Sequence, residues 1–193
     1  MKFSVADLLD HLPSDGSLDT GKLEKILRLS NRAEKQGLSF ALENLQKLGV
    51  VNVIDGAEVS RNDDIDLIEA RLRCSSKGFC FAIRDDGGED IYIRDHQLNH
   101  AWNGDRVLVR ITREGGRRRS PEGGVKCILE RSTTSLLAQV ERQDDRLLAV
   151  PLDDRLLASI ELPEDDAHHL PAGDSPSVVE VEVDRFPVAQ FIA

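Results

Sequence analysis

The chain has 193 residues, 40% of them hydrophobic, and a net charge of −10. That length and apolar content support two or three small domains with real cores. No apolar run approaches the ~20 residues of a membrane span, the N-terminus is polar from Ser4 onward with no secretion signal, and the overall acidity argues against a general nucleic-acid binder.

Three cysteines, Cys74, Cys80 and Cys127, show no metal-ligand spacing. An odd count without a signal sequence predicts a reducing, cytoplasmic setting and no disulfide framework. The charge is uneven along the chain. Residues 1–70 carry 8 basic and 13 acidic side chains, residues 71–131 carry 13 and 9, and residues 132–193 carry 4 and 13. Any attraction for phosphate is therefore localised to the middle segment.

In chain order, Phe3, Val5, Leu8, Leu9 and Leu12 have helical spacing, and Pro13 and Gly16 end that helix. Asp19 or Thr20 caps a second helix with Leu23, Ile26, Leu27 and Leu29 on one face. Ser30, or alternatively Gly37-Leu38-Ser39, leads into a third with Phe40, Leu42, Leu45 and Leu48 apolar, and Gly49 stops it. Residues 50–59 read as a short hairpin turning at Asp55-Gly56. Three helices and a two-stranded wing describe a winged-helix-like domain over 1–61; a small helical cap packed on the neighbouring domain is the alternative. Residues 39–48 offer only Lys47 against Glu43, which argues against direct DNA readout.

Arg61-Asn62-Asp63-Asp64 is a polar break. Residues 65–73 supply the opening strand of a first β-domain, 65–131, and its end is basic. Lys77-Gly78-Phe79-Cys80-Phe81-Ala82-Ile83 and Ile91-Tyr92-Ile93-Arg94 are the next two strands, joined by the polar connector 84–90. Strand alternation puts Phe79 and Phe81 on one face with Tyr92 and Arg94, and Cys80, Ala82, Ile91 and Ile93 on the other. Three of the chain's eight aromatic residues thus gather beside Lys77 and Arg94. Bases stack on exposed rings and cations meet the phosphates. A hairpin that buries its aromatics in a core is the alternative, and it fits poorly because aliphatic residues already claim the opposite face.

Asn103-Gly104 signals a turn. Val107, Val109 and Ile111 alternate on the next strand, with Arg106 and Arg110 on its other face. Residues 113–124 hold Arg117-Arg118-Arg119 among four glycines and one proline, either a phosphate-tracking arm or a solvated connector. Residues 125–129 close the first barrel. Strands at 136–140, 147–151, 158–162 and 178–183, at roughly ten-residue spacing, indicate a second small barrel over 132–193. It has no aromatic pair and is acidic.

The two aromatic runs resemble the paired ribonucleoprotein motifs of a cold-shock domain, with Cys80 where the family has a second glycine and Arg94 where it usually has histidine. The match continues through 98–111, including Gly104-Asp105-Arg106-Val107, and resumes at 125–136, including Leu129-Glu130-Arg131. That combination resembles the front end of a bacterial ribonuclease R/ribonuclease II-type exoribonuclease, over roughly residues 71 to 193 and more weakly before that. The resemblance implies an α+β multidomain chain, a winged-helix-like domain followed by two β-barrel OB-fold/cold-shock-like domains. It implies single-stranded RNA as partner and 3′-to-5′ RNA hydrolysis by a downstream catalytic domain that holds an Asp cluster and divalent metal. The RNA-binding candidates are Lys77, Phe79, Phe81, Tyr92, Arg94, Arg106, Arg110, Arg117, Arg118 and Arg119.

No catalytic residue carries over. The Asp pairs at 63–64, 85–86, 144–145, 153–154 and 165–166 sit in predicted turns, where Asp is locally favoured. His168-His169 reads as a surface loop. No cofactor is expected in this chain, and magnesium only in a downstream domain. Two other readings stand beside RNA capture for an exonuclease: a free-standing RNA chaperone or adaptor, and a module whose acidic surfaces dock a protein partner.

Overall fold

The computed structural model describes residues 3–13, 15–143, 146–165 and 177–183. Helix α1 spans Val5–Asp10 and opens on a capping box. The Ser4 hydroxyl accepts from the Asp7 amide at 2.9 Å, and the Ser4 amide donates to the Asp7 carboxylate at 2.7 Å. Strand β1, Leu18–Asp19, leads directly into α2, Thr20–Ile26, which Asp19 caps. Helix α3 runs Arg32–Lys47 behind a second capping box, Asn31 with Glu34. Such caps stabilise a helix start by about 0.5–2 kcal/mol. Of the two expected starts, Ser30 leads into the third helix, its amide donating to the Glu34 carboxylate at 2.6 Å, and Gly37-Leu38-Ser39 does not. Ser30 lies just outside the cap, while Gly37 and Ser39 lie inside the helix. The longer helix adds Arg32 and Lys35 to its cationic side chains; Lys35 pairs with Glu24 at 2.6 Å and Lys47 with Glu43 at 2.9 Å.

Strands β2, Val51–Ile54, and β3, Glu58–Arg61, form the expected hairpin. Its turn places both Asp55 (φ 49°) and Gly56 (φ 70°) in the left-handed region, as a tight two-residue hairpin turn requires. Strand β1 joins the outer side of β3, making a three-stranded sheet that the sequence did not suggest.

Five strands close a barrel: β4 (Ile68–Cys74), β5 (Cys80–Arg84), β6 (Ile91–Ile93), β7 (Arg106–Arg113) and β8 (Glu122–Glu130), in the order β4-β5-β6-β8-β7. The interior is filled by Ala70, Leu72, Cys74, Cys80, Ala82, Ile91, Ile93, Val107, Val109, Val125 and Ile128. Closure depends on the parallel pairing of β6 with β8, at Tyr92↔Glu122 and Ile93↔Gly123. A methyl group on Gly123 would sit 2.8 Å from Ile91 Cγ2 and 2.9 Å from Val109 Cγ1. Two of the four glycines expected in a loop over 113–124 thus belong to β8, and the connector shortens to 114–121, exposed through Arg119 and buried at Pro121.

The helices and this barrel share a core. Leu108, Cys127 and Leu129, on the outer face of β7 and β8, and Leu67 pack with Leu8, Leu23, Leu42, Leu45 and Val59. Beyond the barrel, β9 (Ser135–Gln143), β10 (Arg146–Pro151), β11 (Ile160–Leu162) and β12 (Ser177–Glu182) form an antiparallel sheet ordered β11-β10-β9-β12. Among the described residues this unit is an open four-stranded sheet over Leu136, Ala138, Ala149, Leu156 and Val181. Asp144, Asp145, Asp166, His168 and His169 lie outside the described residues. No helix of the described residues is long and apolar enough to cross a membrane.

One expectation is overturned. Cys74 and Cys80 are joined by a disulfide. They face each other directly across β4 and β5 on the barrel's inner side. The loop Ser75–Phe79 returns the chain so that the two cysteines share one rung, with their Cα atoms 4.1 Å apart. Parity counting missed it because it weighs the number of cysteines, not their register. Cys127 stays free and buried.

Candidate nucleic-acid interface

The outer face of β4, β5 and β6 is built from the side chains left over once the alternate positions fill the barrel. Its central rung is Arg73↔Phe81↔Tyr92, three residues directly opposite one another on adjacent strands. The Phe81 and Tyr92 rings lie 5.4 Å apart between centroids and are tilted by 53°, a favourable aromatic pair. Both are half-buried, whereas Phe79, at the entry to β5, is 52% exposed. Beneath them Cys80, Ala82, Ile91 and Ile93 are all fully buried. The aromatic residues are thus on the open face and the aliphatic ones in the core, as alternation predicts.

The next rung carries Ile83↔Arg71, and Arg71 pairs in turn with Arg106 on β7. Arg71 and Arg73 were not singled out from sequence. The alternation of buried and open positions through Ile68–Cys74 was the signal that could have found them. Arg71 donates to the Gly104 carbonyl at 2.9 Å. Arg73 and Lys77 are exposed and make no ion pair among the described residues.

The other sequence candidates divide into two groups. Arg94 is on this face, but Glu122 accepts from its Nε at 3.2 Å and its Nη2 at 3.0 Å. Arg106 is held by Glu69, through Nε at 3.1 Å and through Nη2, and by Glu130 at 3.4 Å. The Glu69 hydrogen bond pushes its guanidinium above the usual arginine range. Arg110 is half-buried and its Nε has no hydrogen-bond partner among the described residues. These arginines are therefore less available to phosphate than the sequence suggests, because acidic neighbours or burial already claim them. Arg117, Arg118 and Arg119 are exposed on a tight turn closed by reciprocal Gly116 and Arg119 backbone hydrogen bonds of 2.8 and 3.0 Å.

At one end of the barrel, Asp105 is fully buried and Arg131 nearly so. Burial pushes the Asp105 carboxyl up, against the opposing pull of Arg131 and the Ser132 and Trp102 amides. Burial likewise pushes Arg131 down. The Arg131 guanidinium lies 4.3 Å from the centre of the Trp102 ring, and Trp102 packs against the core of the following sheet. The Gly-Asp-Arg-Val and Leu-Glu-Arg runs thus serve to join structural units: Asp105 and Arg131 are a junction, not a binding surface.

Among the described residues no three His, Cys, Asp or Glu side chains gather as a metal site. The face can stack unpaired bases on Phe79, Phe81 and Tyr92 and neutralise phosphates with Arg71, Arg73 and Lys77.

Comparison with known proteins agrees with the architecture. The family model described as Ribonuclease B OB domain matches residues 70–128, and that described as Cyanobacterial RNase R, N-terminal domain matches residues 6–62. A relative from Synechocystis sp., named "Acetazolamide conferring resistance protein zam", is 47% identical over 192 residues, covering 98% of this chain and 24% of that protein. Ribonuclease R of Aquifex aeolicus is 26% identical over 166 residues, covering 86% of this chain and 22% of that protein. The chain therefore spans about a quarter of the length of these curated relatives. The structure of Mycoplasma genitalium RNase R in complex with ribose methylated single-stranded RNA superimposes with a TM-score of 0.50 at 17% identity, over 64% of this chain and 20% of that one. At that identity the likeness concerns the fold alone.

Proposed function

Because the chain belongs to the ribonuclease R/ribonuclease II-type exoribonuclease family, whose N-terminal region it matches, we propose that it captures single-stranded RNA and feeds the strand to a downstream catalytic domain. That domain would hydrolyse RNA from the 3′ end with magnesium held by its own carboxylates. In this reading residues 1–61 are a winged-helix-like domain, residues 65–131 a cold-shock-like barrel and residues 132–193 a second OB-like unit. The protein works in the cytoplasm.

The observation that carries the reading is the Arg73–Phe81–Tyr92 rung beside exposed Phe79. Rings and cations interleaved on the open face of a closed barrel suit bases and phosphates together. Sequence-independent capture follows from the chemistry, since every base offers a π-face and every nucleotide a charge. The RNA-bound state of the Mycoplasma genitalium protein is consistent with it.

The decisive experiment is fluorescence anisotropy with a labelled single-stranded oligonucleotide RNA, its duplex, and a Phe81→Ala/Tyr92→Ala double variant. Single-strand binding that the double variant loses supports the proposal. Equal affinity of the folded variant would refute it.

A second reading has its own support. On the outer face of the β9–β12 sheet, Leu137 is 56% and Val178 57% exposed, beside Glu141, Glu180 and Glu182, while Glu161 pairs with Arg146 at 3.8 Å. An apolar centre with an acidic rim suits a protein surface better than an RNA strand, and this unit contributes less to RNA binding than the first barrel.

A further inference from the structure

We propose that Cys74 and Cys80 are a reversible dithiol–disulfide pair that sets the order of the 75–79 loop and thereby the strength with which the barrel face holds single-stranded RNA. The RNA consequence rests on the function proposed above. The redox chemistry stands on the geometry alone.

The bond joins the last residue of β4 to the first of β5. Between them lie Lys77, an exposed cation of the loop, and Phe79, the most exposed ring of the candidate face. Three hydrogen bonds otherwise order this loop: the Ser75 amide to the Phe79 carbonyl at 2.8 Å, the Gly78 amide to the Ser75 carbonyl at 3.0 Å, and the Phe79 amide to the Ser75 hydroxyl at 3.2 Å. The covalent bridge clamps the mouth of the loop. Phe79 is thus held in place before a base arrives, and part of the ordering cost of binding is removed in advance.

The bridge is approached from one side. Cys74 forms part of the wall of a cavity of ≈ 280 Å³, with His96, His100, Trp102, Asn103 and Arg155 around it. Cys80 is fully buried. Cys74 is 5% exposed, so a dithiol reductant reaches its sulfur from the cavity side when the 75–79 loop opens locally. Its thiolate attacks Cys74 Sγ, the Cys74–Cys80 bond breaks, and Cys80 leaves as a thiolate that takes a proton. The reductant's second thiolate then attacks its own sulfur in the mixed disulfide and releases Cys74, which takes the second proton. Two electrons pass to the protein, and the reductant ends as a disulfide. A disulfide oxidant of the same class drives the reverse. Cys127 takes no part. It lies in the other core, packed with the helices, where burial pushes its thiol up to about 12 and keeps it protonated.

The test uses the whole chain poised in mixtures of reduced and oxidised dithiothreitol. Alkylation with mass spectrometry reads each cysteine, anisotropy reads a labelled oligouridylate, and amide hydrogen exchange reads residues 75–79. Cys74 and Cys80 should interconvert together while Cys127 stays unmodified in the folded chain. Reduction should weaken RNA binding by about three- to tenfold, the size expected for losing the advance ordering of one or two side chains. It should also speed exchange at Gly78 and Phe79. Cys80→Ser should bind like the reduced chain and ignore dithiothreitol; should that variant fail to fold, the reduced natural chain supplies the same comparison. A pair that never interconverts, or equal RNA affinity in both states, overturns the inference and leaves the RNA reading intact. Absence of RNA binding in both states overturns the RNA reading and, with it, the consequence claimed here.

Discussion

Asp105 Oδ2 accepts from Arg131 Nη1 at 2.9 Å, and neither side chain meets solvent appreciably. Asp105 Oδ1 accepts from the Ser132 amide at 2.9 Å, and Asp105 Oδ2 also accepts from the Trp102 amide at 2.8 Å. The Arg131 guanidinium donates to the His100 carbonyl at 3.1 Å and covers the Trp102 ring. One carboxylate thereby ties the 100–105 turn to the exit from β8 and to the start of the next sheet. Replacing Asp105 by Ala leaves a buried, unpaired guanidinium, and removal of one partner of such a pair costs about 3–5 kcal/mol. Urea unfolding of Asp105→Ala should show that loss, and Asp105→Asn, which keeps an acceptor, should lose less. Unchanged stability in Asp105→Ala would remove the junction role.

The aromatic residues make a graded prediction. Phe79→Ala, Phe81→Ala and Tyr92→Ala should each weaken RNA binding by about 1–3 kcal/mol. Phe79, half in solvent, should cost little stability, far below the roughly 3–5 kcal/mol of deleting a buried Phe. Phe81 and Tyr92 touch each other, so their double variant should be non-additive in stability by about 0.5–3 kcal/mol. Affinity and urea unfolding measured on the same proteins decide it: large stability losses with affinity retained would return these rings to ordinary packing.

Salt titration separates the arginines. Each phosphate contact contributes a slope of about −0.7 in log affinity against log salt for a single strand. Replacing Arg117, Arg118 and Arg119 together by Ser should flatten the slope if the exposed turn tracks phosphates, and an unchanged slope assigns the triplet to a solvated connector. Arg73→Ser should flatten it by about one contact, and more than Arg94→Ser does, because Glu122 already holds Arg94.

Asp86 reports the hairpin turn. Hydrogen bonds from Arg84, at 2.8 and 2.5 Å, and from the Gly88 amide at 3.0 Å hold its carboxyl down to about 2. A carboxylate depressed on folding contributes stability above its unfolded value of 3.8, and that contribution fades as pH falls toward 2. A carbon-detected NMR titration should show Asp86 ionised at about pH 3, and Arg84→Gln should return it toward the ordinary range. A midpoint near the ordinary carboxylate value in the natural chain would break the Arg84–Asp86 assignment.

Much of this protein is written in local pattern. Alternation at Phe79–Ile83 and Ile91–Arg94 determined which side chains face the core and which face out, because a strand allows only two faces. Asp19 before α2, and Asp55-Gly56 between β2 and β3, determined a cap and a turn through side-chain hydrogen bonding and left-handed backbone. Register and three-dimensional neighbours decided the rest. Cys74 meets Cys80 because both occupy one rung, which parity of cysteines does not encode. Arg94 and Arg106 are quenched by Glu122, Glu69 and Glu130, which lie 24 to 37 residues away in the chain yet close by in space. Arg73 joins Phe81 and Tyr92 only when β4 pairs with β5. Sequence specifies faces, which depend on each strand's own period; tertiary structure specifies rungs, which depend on pairing between strands, and both the proposed binding chemistry and the disulfide belong to the rungs.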